Sequence, residues 1–261
     1  MSEVISLINL KGGVGKTVSS INIAFSFAGF GKKVLIIDTD SRGNIATSLG
    51  MSFDGEKNTL VDLMNEIVDS EISTERIAEC IYHSGNVDVL PSNFLLAGID
   101  TKLMNAFNRE SVLKGIINTI RDRYDYIVID CPPSLGLIVT NVLTASDSVL
   151  IPVEAHYLSF ESLKVMLGAI EMVKRKLNKN LQIAGVFLTM YQRTKLSKGI
   201  KEKIQEIYGD DIKIFNDRIP YSIKAAEQTL YGKSLIELEP NHPVSVAYLN
   251  ITKELMHDGK K

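Results

Sequence analysis

The 261-residue chain has no tryptophan, only seven prolines and only two cysteines, Cys80 and Cys131. Two cysteines make no disulfide framework, so a reducing, cytoplasmic setting is expected, and a buried free thiol is the plain reading of Cys131, which follows a strand-like run. No apolar run approaches the ~18 residues that a bilayer span needs. The opening segment MSEVISLINLKGG lacks the basic start and small-residue cleavage site of a signal peptide. Neither charge sign dominates: 29 Lys+Arg against 31 Asp+Glu leave −2, so no global field marks a nucleic-acid or membrane binder. Repeats, low-complexity tracts and linkers are also missing. What is there, 45% hydrophobic and 23% charged residues, is the make-up of a globular protein with a large core, and excludes a disordered, collagen-like or coiled-coil chain.

Local charge is less even. Residues 54–100 carry ten acids and two bases, and residues 171–203 carry nine bases and two acids. A solvated helix face and a phosphate-binding patch both account for the basic excursion. Short, unbroken, β-branched runs at 4–9, 33–38, 126–130, 148–153 and 183–190, with a weaker one at 87–91, predict strands buried on both faces. Helical patterns fall between and after them, at 16–29, 59–68, 94–106, 110–122, 137–145, 160–177, 196–208 and 244–257. In the 196–208 stretch Leu196, Ile200, Ile204 and Ile207 recur at helical spacing. Polar residues near 52–58 and 69–75 read as surface loops. The alternation predicts one α/β domain over residues 1–261: a single doubly wound, mostly parallel twisted sheet with helices on both faces.

Residues 4–17 read VISLINLKGGVGKT: a strand, a glycine-rich turn, Lys16-Thr17, then a helix. Gly12, Gly13 and Gly15 let backbone N–H groups turn inward around phosphate oxygens where a Cβ would obstruct them. The helix start points its positive dipole end at the same anion. Lys16 is placed to pair with β/γ-phosphates and the Thr17 hydroxyl to meet Mg²⁺. The strict G-x-x-x-x-G-K-[ST] pattern fails, because position 10 is Leu; a second lysine, Lys11, opens the loop instead.

KGGVGKT resembles the deviant Walker A loop of the ParA/MinD group of P-loop ATPases, whose signature is a lysine at the position of Lys11. IIDTDSRGN (36–44) resembles that group's switch I, YDYIVIDCPPSLG (124–136) its Walker B and switch II, and DSVLIPVEAHYLSFESL (147–163) its next strand and helix. GVFLTMYQRTKLS (185–197) and RIPYSIKAAEQTLYGKSL (218–235) resemble its C-terminal half, so the likeness covers most of residues 3–257. It implies a ParA-like P-loop ATPase without an N-terminal helix-turn-helix domain, with ATP and Mg²⁺ as cofactors. Lys11, Lys16 and Asp40 would be catalytic. Lys11 would reach across a nucleotide-sandwich homodimer to the partner's phosphates, and Asp40 would orient the attacking water. For an isolated pair, capping of the turn beside Gly43 and Asn44 is the plainer role for Asp38 and Asp40; behind a phosphate loop, catalysis is favoured for Asp40. The nucleotide would be held by Lys11, Gly12, Gly13, Val14, Gly15, Lys16, Thr17 and Val18, with Met190, Ile219 and Pro220 along the adenine, and the metal by Thr17 and Asp130. The chain departs from the group's pattern at Val18, Ser41-Arg42, His156 and Tyr221.

Three functions share this machinery. A partition ATPase binds DNA non-specifically as an ATP dimer and is stimulated by a ParB-like centromere-binding partner. A MinD-like or other positioning ATPase places cargo or marks a membrane site. A relative of the nitrogenase iron protein handles a metal cluster. The tail VSVAYLNITKELMHDGKK reads as a core-facing helix rather than a basic membrane anchor, and a cluster site would need paired cysteines beside Cys131. The basic stretch favours partition, with Arg193, Lys195, Lys198, Lys201, Lys203 and Lys224 as DNA contacts, Lys233 extending them, no membrane contact, and a nucleoid-associated location in the cytoplasm.

Overall fold

The computed structural model describes residues 2–51 and 58–258. Among them, eight strands form one sheet: β1 (Glu3–Leu7), β2 (Val34–Asp38), β3 (Tyr82–Ser84), β4 (Val87–Leu90), β5 (Tyr126–Asp130), β6 (Ser148–Glu154), β7 (Gln182–Tyr191) and β8 (Ile214–Pro220). Their order is β3-β4-β2-β5-β1-β6-β7-β8, and β3 alone runs antiparallel, against β4.

The unbroken apolar runs have a simple cause. Side chains alternate between two cores, one on each face of the sheet. Val4, Leu35, Ile37, Ile127, Ile129, Val149, Ile151, Val186 and Leu188 pack under helices Leu60–Asp69, Val112–Ile120, Leu137–Ala145, Tyr157–Lys176 and Lys195–Tyr208. Ile5, Leu7, Val34, Ile36, Val128, Leu150 and Phe187 face the other way, toward helices Lys16–Gly29 and Pro243–Asp258. Each fully buried Ile, Leu or Val contributes on the order of 2 kcal/mol of transfer free energy. β1 lies between β5 and β6, so the chain winds outward from it in both directions. The crevice at its carboxyl end is where open α/β sheets bind ligands.

Two strands escape the sequence pattern. β8 is an edge strand in which only Phe215 and Ile219 are buried, four residues apart, while Asn216 is exposed and Asp217 and Arg218 half-buried. Neither alternation nor an apolar run results. β3 is a three-residue edge, too short to show a period. Helices Asn44–Ser48, Thr74–Ala78, Ile223–Tyr231 and Leu235–Leu238 were also not expected, and the second overlaps the loop anticipated at 69–75. The loop anticipated at 52–58 lies, except for Asn58, outside the described residues. The 94–106 pattern resolves into a 3₁₀ turn, Phe94–Gly98, and a short helix, Ile99–Leu103. In Lys195–Tyr208 the inward face is Ser197, Ile200 and Ile204; Leu196 and Ile207 are 56% and 47% exposed, which corrects the stripe read from spacing.

Candidate functional site

Residues 8–15 carry the chain from β1 into helix Lys16–Gly29. Gly13 and Gly15 adopt φ of +77° and +82°, the left-handed region that other residues enter only with strain. A Cβ built at Gly12, Gly13 or Gly15 meets no protein atom within 4 Å, so what the protein itself demands at 13 and 15 is dihedral. Neighbouring strands fix the loop. Asn9 Nδ2 donates to the Pro152 carbonyl of β6 at 2.7 Å, Asn9 Oδ1 accepts the Lys11 amide at 2.9 Å, and Thr189 Oγ1 of β7 donates to the Val14 carbonyl at 2.9 Å. Asn9 and Thr189 carry no motif signature; their roles emerge only once β6 and β7 flank the loop. The first turn of the helix contains no acidic residue to offset its positive end.

Lys16 is buried to 6% exposure, and its Nζ donates to the Lys11 carbonyl at 3.1 Å. Burial pulls its pKa below the ordinary lysine value, against the charge of Asp130. Asp130, fully buried at the end of β5, accepts from Thr17 Oγ1 at 2.7 Å and from Ser20 Oγ at 2.9 Å. Burial lifts its carboxyl to about 6 even though those hydroxyls oppose the shift. Its cross-strand partner Asp38 is lifted further, to about 8, by burial and then by the Asp130 charge. Asp38 spends both oxygens on backbone, accepting the amides of Asp40 at 2.9 Å and Ile45 at 3.0 Å, so it holds the switch turn as a cap.

Two buried carboxyls beside a hydroxyl form a hard-oxygen environment that suits Mg²⁺. Among the described residues no group of three or more His, Cys, Asp or Glu clusters as a ready cage. Thr17 and Asp130 therefore fit a metal whose remaining ligands are phosphate oxygens and water.

Asp40 has a side chain only 5% exposed and is gripped by Arg42: Nη2 to Oδ2 at 2.6 Å, Nε to Oδ1 at 3.1 Å and to Oδ2 at 3.2 Å, and the Arg42 amide to Oδ1 at 3.1 Å. Burial raises the Asp40 pKa, but the Arg42 bonds outweigh it and hold the carboxyl below its usual value. Lys11 Nζ is ion-paired to Glu154 at the end of β6 and lies 3.3 Å from Ser159 Oγ. It stays 29% exposed. Beside the loop lies an apolar cavity of about 280 Å³ lined by Gly15, Val18, Met190, Ile219, Pro220 and Tyr248, which places the three residues expected along the adenine at one site. Met190 holds φ +49° there, a strained value for a side-chain-bearing residue.

Cys80 and Cys131 are buried free thiols. Arg193, Lys195 and Lys198 are exposed, at and before the start of helix Lys195–Tyr208, and Lys201 and Lys203 are half-buried. Lys198 lies 3.7 Å from Glu202, and Lys203 Nζ sits 4.8 Å from the centroid of the Phe160 ring. Lys224, on helix Ile223–Tyr231, is tied to Glu239 at 2.7 Å, so its charge is locally balanced. Arg218 was missed because β8 was missed; it stacks 4.9 Å from the centroid of Tyr191 and shares a cleft with Lys198 and Lys201.

A glycine-rich loop entering a helix at the crevice of a parallel sheet, with a buried lysine and a Thr–Asp pair at its mouth, defines a P-loop nucleoside triphosphatase. Residues 2–183 match the family model described as an AAA domain. The sporulation initiation inhibitor protein Soj of Bacillus subtilis (strain 168) is 36% identical over 260 residues, covering 99% of this chain and 100% of that protein. The chromosome partitioning protein ParA of Caulobacter vibrioides is 34% identical, covering 97% and 94%. The cobyrinic acid a,c-diamide synthase of Mycobacterium smegmatis, solved with ADP and magnesium, has a similar structure, with a TM-score of 0.85 and 25% identity over 100% of this chain and 96% of that one. The chain belongs to the ParA/Soj family of partition ATPases.

Proposed function

We propose that this chain is a DNA-partition ATPase whose Mg-ATP-bound homodimer binds DNA without sequence preference, and that a ParB-like centromere-binding partner accelerates its hydrolysis and releases it. The observation that carries this reading is the second lysine: Lys11, five residues before Lys16, rests on Glu154 at the edge of the site. A part-exposed ion pair is weakly held, so the ammonium is free to exchange Glu154 for a phosphate presented by a second copy. ATP occupancy and dimerisation are then one event.

The remaining roles are those that the family resemblance implies, and the geometry is compatible with them. Lys16 faces the β/γ-phosphates, and the loop amides with the helix end cradle them. Thr17 and Asp130 would hold Mg²⁺, which would supply charge neutralisation to the transferring phosphoryl group. Asp40 orients the attacking water. Met190, Ile219 and Pro220 take the adenine into the apolar cavity. Helix Pro243–Asp258 spends Val244, Ala247, Tyr248, Ile251 and Leu255 on the core, which leaves no apolar face for a bilayer; among the described residues no helix is long and apolar enough to cross one.

Co-sedimentation with DNA, and separately with anionic lipid vesicles, under ATP, ADP and no nucleotide, tests the reading. DNA binding with ATP alone supports it; vesicle binding, or DNA binding indifferent to nucleotide, contradicts it. The DNA surface centres on Arg193, Lys195, Lys198 and Lys201, with nucleoid association as its cellular consequence. Arg193→Ala is expected to weaken DNA binding several-fold at fixed salt and to lower the salt slope by about two per dimer, one phosphate contact per subunit, while ATP affinity is kept. Gel shifts across a salt series measure both quantities.

A further inference from the structure

Both oxygens of the Asp40 carboxylate are engaged by Arg42. A carboxylate offers about four lone-pair positions. Three Arg42 N–H groups engage both Asp40 oxygens: the amide donates to Oδ1, Nη2 to Oδ2, and the single Nε hydrogen is shared between the two, so one residue occupies most of the positions. A water oriented for attack must donate to that carboxylate, and competes with the guanidinium fork for oxygens whose charge the fork already offsets. The other charged groups felt by Asp40 are Lys16, which draws it toward the ionised form, and the buried acids Asp38 and Asp130.

We propose that Arg42 is a positioning residue that brakes hydrolysis by holding both oxygens of Asp40. Release of the fork exposes the oxygens that hold the water. The inference rests on the reading of Asp40 as the residue that orients it. Three observations shape the idea. The bonds are bidentate and charge-assisted, stronger than an ordinary surface pair. The Arg42 side chain is 58% exposed against 5% for Asp40, so water awaits the guanidinium when it leaves. The turn does not depend on the arginine side chain, because the Asp40 carbonyl accepts from Ser92 Oγ and from the Gly43 amide at 3.0 Å.

The test is steady-state ATPase kinetics without DNA or partner protein. Arg42→Gln removes the charge and the fork and is expected to raise kcat at least about 3-fold, with KM held within about 2-fold. Arg42→Lys keeps the charge but offers a single ammonium in place of the planar fork, and should fall between wild type and Arg42→Gln. The double variant Asp40→Ala/Arg42→Gln must remain as slow as Asp40→Ala alone, since the gain runs through Asp40. A kcat for Arg42→Gln equal to or below wild type overturns the brake, and a lowered one makes Arg42 an electrophilic helper instead. A double variant as fast as Arg42→Gln also overturns it. Should Asp40→Ala itself hydrolyse ATP at the wild-type rate, the reading of Asp40 fails first, and the two failures stay distinguishable.

Discussion

Lys16→Ala is expected to leave a folded protein that hydrolyses ATP at least about 100-fold more slowly and no longer binds the nucleotide measurably. Removal of one preorganised donor from developing phosphoryl charge lowers rates by about 10²–10³. Lys16 is also the buried cation of the loop, so its loss removes ground-state affinity together with transition-state stabilisation. The fold should survive. The Nζ hydrogen bond is to the Lys11 carbonyl, and burial already disfavours the charged form, so truncation relieves a buried ammonium as it removes one bond. Calorimetric titration with ATP and a thermal melt check the two halves together. Near-wild-type affinity at an unchanged melting temperature would place the phosphates elsewhere.

Asp40→Ala has the second large effect, of opposite character. The water loses its orienting carboxylate, so hydrolysis drops by about 10²-fold or more while ATP affinity stays near wild type. Nucleotide then persists in the site, and size-exclusion after ATP addition should show a dimer that outlasts the wild-type one. A dimer that decays at the normal rate clears Asp40 of the role. On the proposed roles, Lys16 on the phosphates and Asp40 on the water, the two variants separate binding from chemistry in one fold.

The loop was legible in sequence because its demands are local. Positive φ at Gly13 and Gly15, a lysine at the helix start and a hydroxyl beside it are all fixed within six residues of chain. The strands of the sheet interior were legible because burial on both faces makes nearly every position apolar, Ser6 in β1 being a buried exception. The rest depended on distant partners. Asn9 matters through Pro152, and Thr189 through Val14, 143 and 175 residues away in sequence. The Arg42 grip on Asp40 is local, yet sequence spacing alone does not reveal that one side chain fills both oxygens of the other. Arg218 was hidden by an edge strand that buries only Phe215 and Ile219. Lys224 looked like a free cation until Glu239, fifteen residues on, proved to pair with it.

The central claim is that Lys11 leaves Glu154 and Ser159 to hold a nucleotide in a facing copy. Sedimentation equilibrium with a non-hydrolysable ATP analogue, run on wild type and Lys11→Ala at matched nucleotide saturation, tests it most directly. The account predicts a dimer for wild type only with the analogue, and a nucleotide-loaded monomer for Lys11→Ala. A Lys11→Ala protein that dimerises as tightly as wild type would contradict it.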